Sequence, residues 1–397
     1  MTYPQAPADV LKFYRDLHAH PELSGNEHRT QAAVHSALAT TASQIRSCGG
    51  TGLEAVLRNG PGPVVGFRAD MDALPLQENT GLPYASTNDG VMHACGHDVH
   101  TASLVGAMRW LDSHREAWSG TLVGIFQPAE ETGAGALAML DDGLFDTTGR
   151  PDVILGQHVT SAPLGKLLIK PGWFLAGQRA WRVSVTGTGG HASRPHLANE
   201  ALLTAVAMVN RLQTVTSREI DPFRMAVLTV ATFHAGTKEN VIPAEAVFTV
   251  SARAYEPEVA AKLEAALLRI LHGEAAAGGV EVDIREISHL PAVYNDPAEN
   301  ARAATALHEV FGEQPETPDP LPASDDFSRY AERLKVPSVI WNFGVHDPAL
   351  PQNAVARNHD ARFAPHPTGA VSVGLAGAIA VLTARLQDRD LDTENPN

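Results

Sequence analysis

A ten-residue stretch, VMHACGHDVH at positions 91–100, concentrates three histidines, a cysteine and an aspartate. Thiolate and imidazole are ligands that zinc and related divalent metals prefer. Cys95 and His97 lie two positions apart, and Gly96 between them allows the backbone to turn tightly. Both side chains can therefore reach one cation, although an isolated cysteine is also a common small residue of protein cores.

Other candidate ligands end or follow short apolar runs that predict strands. Glu130 and Glu131 come after GTLVGIF, Asp70 and Asp72 come after VVGF, and His158 comes after VILG. Ligands of open α/β sheets bind outside the carboxyl ends of the strands, so we expect these side chains at one rim of a sheet. Together with the cysteine and histidine of the first stretch, they form a set of metal ligands.

The pair Glu130 and Glu131 favours hydrolytic chemistry. In an extended segment adjacent side chains point in opposite directions, so one carboxylate can bind a metal while the other acts as a base. A metal-bound water with a lowered pKa, next to a basic carboxylate, is a hydrolytic arrangement. A different interpretation makes Cys95 and His97 a nucleophile and its base, in which case removal of metal leaves activity intact.

The strands alternate with helical patterns, which predicts an α/β fold. Such an alternation is typical of a mostly parallel sheet covered by helices on both faces. The clearest strands are PVVGFRAD, GTLVGIFQ, PDVILGQH and VPSVIWNF.

Residues 179–291 have a different pattern. The order is strand, helix, strand, strand, helix, strand, which is the ferredoxin-like α+β arrangement. We predict that this domain is inserted into the α/β catalytic domain, which then comprises residues 1–178 and 292–397.

The composition disfavours several classes of function. A net charge of −15 argues against the basic face that nucleic acid requires. No segment is expected to span a membrane, and the N-terminus lacks the pattern of a secretion signal, so we expect a cytoplasmic protein. The two cysteines, Cys48 and Cys95, do not make a disulfide framework.

Seven motifs, in their order and spacing, resemble those of the metal-dependent amidohydrolases. This group includes aminoacylases, hippurate hydrolases and indole-acetyl-amino-acid hydrolases, and is related to carboxypeptidases with a lid domain. The resemblance covers almost the whole chain, although Asp325 of the last motif stands where the family usually carries glutamate. The motifs are LHAHPELSGNEHRT, FRADMDALPLQE, MHACGHDVHTA, QPAEE, GGHASRPH, ENVIPAEAVFTVSAR and SDDFS.

The resemblance implies a site with two divalent metal ions and a water between them. Zinc is the expected metal, and manganese, cobalt or nickel could replace it. The family's general base falls on Glu130, and Asp72 matches an acidic residue that lies behind the ligands. The implied metal ligands are Cys95, His97, Glu131, His158 and His359.

Further roles that the resemblance implies fall in the inserted domain, which the family uses as a lid. His191 matches a residue that polarises the scissile carbonyl, often in a partner subunit, and the nearby His196 leaves the identity of this histidine open. Asn240 and Arg253 match positions that contact the carboxylate side of the substrate. Relatives pair through the lid, so we expect a homodimer.

The predicted reaction is hydrolysis of the amide bond of a small-molecule N-acyl amino acid, which releases a carboxylate and a free amino acid. The alternative enzyme is a dipeptidase or carboxypeptidase-like metallopeptidase on the same scaffold. A catalytically silent binding or regulatory protein is a further alternative, disfavoured by the intact ligand set and by Glu130. The sequence leaves open the acyl group, the amino acid and the physiological metal.

Overall fold

The structure is a computed structural model of the chain, and it describes residues 5–387. The chain forms two compact units. The first comprises Met1–Gly172, Tyr294–Asp319 and Asp326–Asn397, and the second comprises Trp173–Val293 and Pro320–Asp325. The predicted segment 292–397 runs past the described residues, and its last ten positions, 388–397, lie outside them.

Helices and strands alternate along much of the chain. The helices are α1 (Ala8–Ala19), α2 (His28–Leu38), α3 (His97–Ser113), α4 (Gly135–Asp141), α5 (Ala201–Thr214), α6 (Pro257–Gly278), α7 (Pro297–Phe311), α8 (Ser328–Leu334) and α9 (Gly369–Leu386). The strands are β1 (Gln44–Cys48), β2 (Gly52–Asn59), β3 (Val64–Asp70), β4 (Gly120–Gln127), β5 (Val153–Pro163), β6 (Leu167–Leu168), β7 (Gly172–Leu175), β8 (Gly177–Thr186), β9 (Gly190–His191), β10 (Ala226–Ala235), β11 (Val241–Ile242), β12 (Glu245–Ala254), β13 (Glu281–Leu290), β14 (Val293–Asn295) and β15 (Ser338–His346).

The first unit is built on a seven-stranded sheet with the order β1-β2-β4-β3-β5-β15-β6. The four central strands run parallel, whereas β1, β2 and β6 pair in antiparallel fashion towards the two edges. The fold is therefore α/β with a mixed sheet, and the predicted parallel arrangement holds for its centre. Strands β1 and β2 were not predicted, because antiparallel neighbours need no crossover helix between them to mark their pairing.

Two of the central strands end at the predicted site. Strand β3 ends at Asp70, and β4 ends at Gln127, just before the two glutamates. The sequence placed His158 at the end of a strand, but β5 continues to Pro163 because its backbone pairs with β15 as far as His346. His158 therefore lies within a strand.

Helix α3 lies in the core of the first unit, packed against α1 and α9. The approach to α9 is close, because a Cβ added at Gly374 would lie 2.5 Å from Oγ of Ser103. The first turn of α3 is buried together with its polar side chains, among them His97, Asp98 and His100. The start of this helix is thus fixed from several sides.

Helix α9 is an exception to the expectation about membrane spans. Within the described part of the chain it is the helix that is long and apolar enough to cross a bilayer, judged by length and composition only. However, 78% of its apolar window is buried inside the fold. This burial is that of a core helix.

The second unit contains a four-stranded antiparallel sheet with the order β10-β12-β8-β13, together with α5 and α6. Along the chain its elements follow the predicted strand and helix order. Its core is formed by apolar side chains of the sheet and the helices, such as Val183, Phe248 and Leu267. Strands β9 and β11 form a separate two-stranded ribbon that is not part of the predicted strand and helix order. A role as a lid stays a prediction.

Candidate metal centre

Cys95 and His97 reach the site through the turn that leads into α3. Gly96 has φ +80°, and a Cβ at this position would lie 2.5 Å from Cγ2 of Val159. Glycine is therefore required for both conformation and space. The turn brings ligand atoms of Cys95, His97 and Glu131 within 4.8 Å of one another.

Glu130 and Glu131 lie in a tight turn after β4, in which the N–H of Gly133 donates to the carbonyl of Glu130 at 2.7 Å. The predicted extended segment with diverging carboxylates is wrong. Oε2 of Glu130 lies 3.9 Å from Nε2 of His97, and Oε1 of Glu131 lies 4.0 Å from the same nitrogen. The turn therefore concentrates two carboxylates at one imidazole.

Two further histidines come from distant parts of the chain. Nε2 of His158 lies 3.6 Å from Sγ of Cys95, and Nε2 of His359 lies 3.4 Å from Oε1 of Glu131. His359 has φ +67°, unusual for a residue other than glycine, and its N–H donates to the carbonyl of Ala94 at 2.8 Å. The structure thus brings together all five predicted ligands, and their role as ligands stays a prediction.

Two buried aspartates lie beside the site histidines. Oδ1 of Asp72 lies 3.2 Å from Nδ1 of His97, at the position expected of the predicted acidic residue behind the ligands. Oδ1 of Asp70 lies 2.6 Å from Nδ1 of His100, whose Nε2 accepts the N–H of Val159 at 2.8 Å. These carboxylates fix the orientation of the rings, as acidic partners of metal-binding histidines do.

The buried charges of the site stabilise one another. Burial acts to raise the pKa of the Cys95 thiol, but His158 and His97 outweigh it and hold this pKa well below its ordinary value. Burial acts to lower the pKa of His97, but Asp70 and Cys95 outweigh it and hold this pKa well above its ordinary value. The shift favours the thiolate of Cys95, which is the species that binds metals.

The donor atoms fit a divalent metal. Nε2 of His97 is buried and has no hydrogen-bond partner among residues 5–387. A buried polar atom without a partner costs free energy unless something binds it. The sulfur, nitrogen and oxygen atoms around this nitrogen form a borderline set that suits zinc and other first-row divalent ions.

Two predicted site residues of the second unit, His191 and Asn240, lie next to each other. His191 lies on β9 opposite Val241 of β11, and the N–H of Ala192 donates to the carbonyl of Asn240 at 3.1 Å. The ribbon thus places His191 and Asn240 close together, and both residues are exposed. The ring of His191 contacts Ser193, whose hydroxyl lies 2.8 Å from Nδ1.

Arg253 lies on β12, and its guanidinium donates hydrogen bonds to residues of its own unit. Nη1 donates to the carbonyl of Pro322 at 2.7 Å and to Oγ of Ser324 at 2.9 Å, and Nη2 donates to Oε1 of Gln178 at 2.8 Å. The exposed His196 lies in the short turn Pro195–Leu197. The catalytic and substrate-binding roles predicted for these residues stay predictions.

A buried polar network that was not predicted contacts Asp70. The guanidinium of Arg68 lies 2.7 Å from Oδ2 of Asp70 and 3.2 Å from Oδ1 of Asp326. An arginine inside an otherwise apolar strand is a usable signal for such a pair, because buried arginine is rarely unpaired. Glu27 was missed as well: it is fully buried, but its loop, SGNE, reads as solvated.

Comparisons with known proteins give relatives over most of the chain. Residues 66–371 match the sequence profile of peptidase family M20/M25/M40. A hippurate hydrolase from Campylobacter jejuni is 37% identical over 331 residues, which span 82% of this chain and 85% of the relative. Thermostable carboxypeptidase 1 from Saccharolobus solfataricus is 31% identical over 363 residues, 89% and 90% of the two chains. A crystal structure from Bacillus subtilis is also similar, and it is described as a dinuclear metal binding peptidase from the M20 family. The TM-score is 0.79 at 30% sequence identity, and the match covers 95% of this chain and 98% of that chain.

Proposed function

The chain belongs to peptidase family M20/M25/M40, and from this premise we propose that it hydrolyses the amide bond of N-acyl amino acids. The products are a carboxylate and a free amino acid. The observation that carries the proposal is the convergence of Glu130 and Glu131 on Nε2 of His97, beside the contact between Cys95 and His158. The similarity to a hippurate hydrolase supports this substrate class, because hippurate is an N-acyl amino acid.

We propose that the site holds two divalent metal ions, with zinc as the first candidate. The Bacillus subtilis structure described as dinuclear supports the number of ions, and the mixed donor set supports the type. When bound, such ions lower the pKa of water and polarise the carbonyl of an amide. The residues that would hold them are Cys95, His97, Glu131, His158 and His359.

Glu130 is the proton carrier in this proposal. Its carboxylate takes a proton from the water that attacks the carbonyl carbon, and it gives this proton to the amide nitrogen as the C–N bond breaks. Its side chain is 11% exposed, so it is largely shielded from bulk water. Asp72 keeps the ring of His97 in orientation through the 3.2 Å contact with Nδ1. His191 is predicted to contact the scissile carbonyl of the substrate, and Asn240 and Arg253 are predicted to contact its carboxylate side. Variants of each residue can test these predictions.

A metallopeptidase that acts on dipeptides is the second candidate, favoured by the 31% identity to a carboxypeptidase. A panel of N-acyl amino acids and dipeptides, assayed with one defined metal, separates the two. We expect kcat/KM for the best N-acyl amino acid to exceed that for the best dipeptide by about 10-fold or more, since site contacts to the acyl group enter the transition state. A preference for dipeptides would establish the second candidate instead.

Variants of the two glutamates test the assignment of roles. Glu130→Gln should retain metal and lose about 100- to 10,000-fold in kcat, because it removes the general base. Glu131→Gln should lose metal, measured by elemental analysis after dialysis.

Chelation should abolish activity and added metal should restore it. A protein that stays active after complete removal of metal would instead support the Cys95 nucleophile.

A further inference from the structure

Glu27 is a fully buried carboxylate to which the proposed mechanism gives no role. It occupies the N-cap position of α2, yet among the described residues its side chain caps no N–H of that helix. Its oxygens accept from three other donors: the N–H of Gly25 at 2.9 Å, the N–H of Ala129 at 2.8 Å and the hydroxyl of Thr51. One of these donors, Ala129, immediately precedes Glu130.

Ala129 has a conformation that alanine rarely adopts. Its φ is +50°, in the left-handed region where a Cβ is strained. Strained residues persist only where their surroundings fix them. Here Glu27 accepts the N–H of Ala129, and the carbonyl of Ala129 accepts the N–H groups of Ala134 and Gly135, each at 3.2 Å. The buried carboxylate therefore anchors the beginning of the turn.

The conformation of Ala129 decides where the next two side chains point. Rotation about its N–Cα bond swings the following residues, and with φ +50° both Glu130 and Glu131 come within 4.0 Å of Nε2 of His97. A displacement of about 1 Å in a reacting group costs about 100-fold in rate. A residue that fixes this φ therefore controls the geometry of both carboxylates.

We infer that Glu27 is a positioning residue, which holds Ala129 in the left-handed conformation and thereby sets Glu130 and Glu131 against His97. The inference rests on the proposed function for the roles of Glu130 and Glu131. A carboxylate suits this position because it only accepts hydrogen bonds: the N–H groups of Gly25 and Ala129 can only donate, and the hydroxyl of Thr51 donates to its other oxygen. Glutamine keeps the shape but presents two N–H donors of its own on one branch.

Glu22 is a control in the same segment, with a carboxylate that is partly exposed where that of Glu27 is buried. Its carboxylate accepts the N–H of Arg29 at 3.0 Å and the N–H of Thr30 at 2.8 Å, at the start of α2. Glu22→Gln therefore removes comparable charge-assisted hydrogen bonds without altering the contact to Ala129. A purely structural role for Glu27 predicts similar effects of Glu22→Gln and Glu27→Gln.

The experiment compares Glu27→Gln and Glu22→Gln in three measurements: melting temperature, titration of the metal-free protein with Co²⁺ followed by visible absorption, and kcat and KM for hippurate. We expect Glu27→Gln to weaken Co²⁺ binding about 10-fold or more, to change the absorption spectrum and to lower kcat about 100-fold with a smaller change in KM. Glu22→Gln should lower the melting temperature and leave the spectrum and kcat near wild type.

Ala129→Gly provides a rescue that a merely structural role does not predict. Glycine adopts positive φ without strain, so at position 129 it depends less on the hydrogen bond to Glu27. The double variant Glu27→Gln/Ala129→Gly should recover about 5-fold or more of the lost kcat, and the Co²⁺ spectrum should shift back towards wild type. If Glu27→Gln does not fold, Thr51→Val is measured in its place, because it removes the hydroxyl that donates to the carboxylate of Glu27. Thr51→Ser keeps a hydroxyl and should restore the kcat and the Co²⁺ spectrum that Thr51→Val loses.

The outcomes separate the inference from the proposed function. Equal losses of kcat and equal Co²⁺ spectra in Glu27→Gln and Glu22→Gln would overturn the positioning role, as would the absence of rescue by Ala129→Gly. A wild-type protein that binds Co²⁺ but does not hydrolyse hippurate would count against that substrate alone. The spectra would then still decide whether Glu27 sets the position of Glu131.

Discussion

The carboxylate of Asp72 links His97 to the turn that carries the two glutamates. Oδ1 lies 3.2 Å from Nδ1 of His97, and Oδ2 accepts the N–H of Glu131 at 3.0 Å. The side chain of Asp72 therefore sets both the orientation of the His97 ring and the position of the Glu131 backbone. Burial acts to raise the pKa of Asp72, but hydrogen bonds from His97 and Ser24 outweigh it, so this pKa lies below its ordinary value and the group is anionic.

Asp72→Asn should weaken metal binding without unfolding the protein. The variant keeps the shape of the side chain but loses the charge that holds the ring of His97, and loss of such partners typically costs about 10- to 100-fold in metal affinity. The measurement is a competition titration of the metal-free protein with zinc and a chromophoric chelator. Ser24→Ala, which removes only a 2.7 Å hydrogen bond to Oδ2, is the control and should have a smaller effect. Wild-type affinity in Asp72→Asn would contradict the linkage.

Local patterns in the sequence predicted the central strands and the elements of the second unit. Strand β15 is buried at every position, so its apolar run is a direct consequence of burial on both faces. The alternating burial of β12 likewise reflects one covered face. The residues Cys95, His97, Glu131, His158 and His359 were identified from the motifs, and the structure places them together.

The geometry that holds the site could not be predicted, because it depends on pairs far apart in the chain. Glu27 and Ala129 are separated by 102 positions, and Arg68 and Asp326 by 258. The left-handed conformation of Ala129 has no local signal either, since glycine or asparagine is usual at positive φ. The sequence therefore predicted which residues lie close together at the site, but not the turn that directs the two glutamates.

Gly135→Ala should disrupt the turn from its other end. A Cβ at this position would lie 1.6 Å from the carbonyl oxygen of Pro128, a backbone atom that can move only if the turn moves. We expect a loss of about 1–3 kcal/mol in the free energy of unfolding, as in other overpacked positions, together with reduced kcat and metal affinity.

Gly273→Ala is the control for this substitution. Gly273 lies inside α6, and an added Cβ meets no heavy atom within 4 Å there. Alanine should be neutral or stabilise the protein by up to about 1 kcal/mol, because it is the better helix former. Chemical denaturation measures both effects. A Gly135→Ala protein as stable and active as wild type would show that the turn tolerates movement.

The buried pair of His18 and Asp98 should make stability depend on pH. Nδ1 of His18 lies 2.6 Å from Oδ2 of Asp98, and both side chains are fully buried. Burial acts to lower the pKa of His18, but Asp98 and Glu78 outweigh it and raise this pKa to about 9. The folded pKa exceeds the unfolded value of about 6.5, so the stabilisation is complete below about pH 6.5 and is lost as the pH rises through about 9.

A comparison of wild type with His18→Gln measures this contribution. The difference in unfolding free energy should fall by on the order of 2–3 kcal/mol between about pH 6 and pH 10, because only the wild type has the titrating pair. His20→Gln, at a partly exposed position at the end of α1, is measured beside it as a control for the loss of an imidazole from this helix. A difference for His18→Gln that is constant with pH would mean that the histidine contributes by packing alone.

Cys95 and Cys48 should react differently with alkylating agents in the metal-free protein. Both thiols are free and buried, but burial raises the pKa of Cys48 to about 12, whereas His158 and His97 outweigh burial at Cys95 and keep its pKa well below the ordinary value. The thiolate is the reactive form, so iodoacetamide at about pH 7.5 should modify Cys95 and spare Cys48.

Added zinc should protect Cys95 by binding the same sulfur, and peptide mapping by mass spectrometry measures both sites. Denatured protein, in which both cysteines should be modified, is the control. Equal modification of the two thiols in the folded protein, or no protection by zinc, would contradict the role of Cys95 as a ligand.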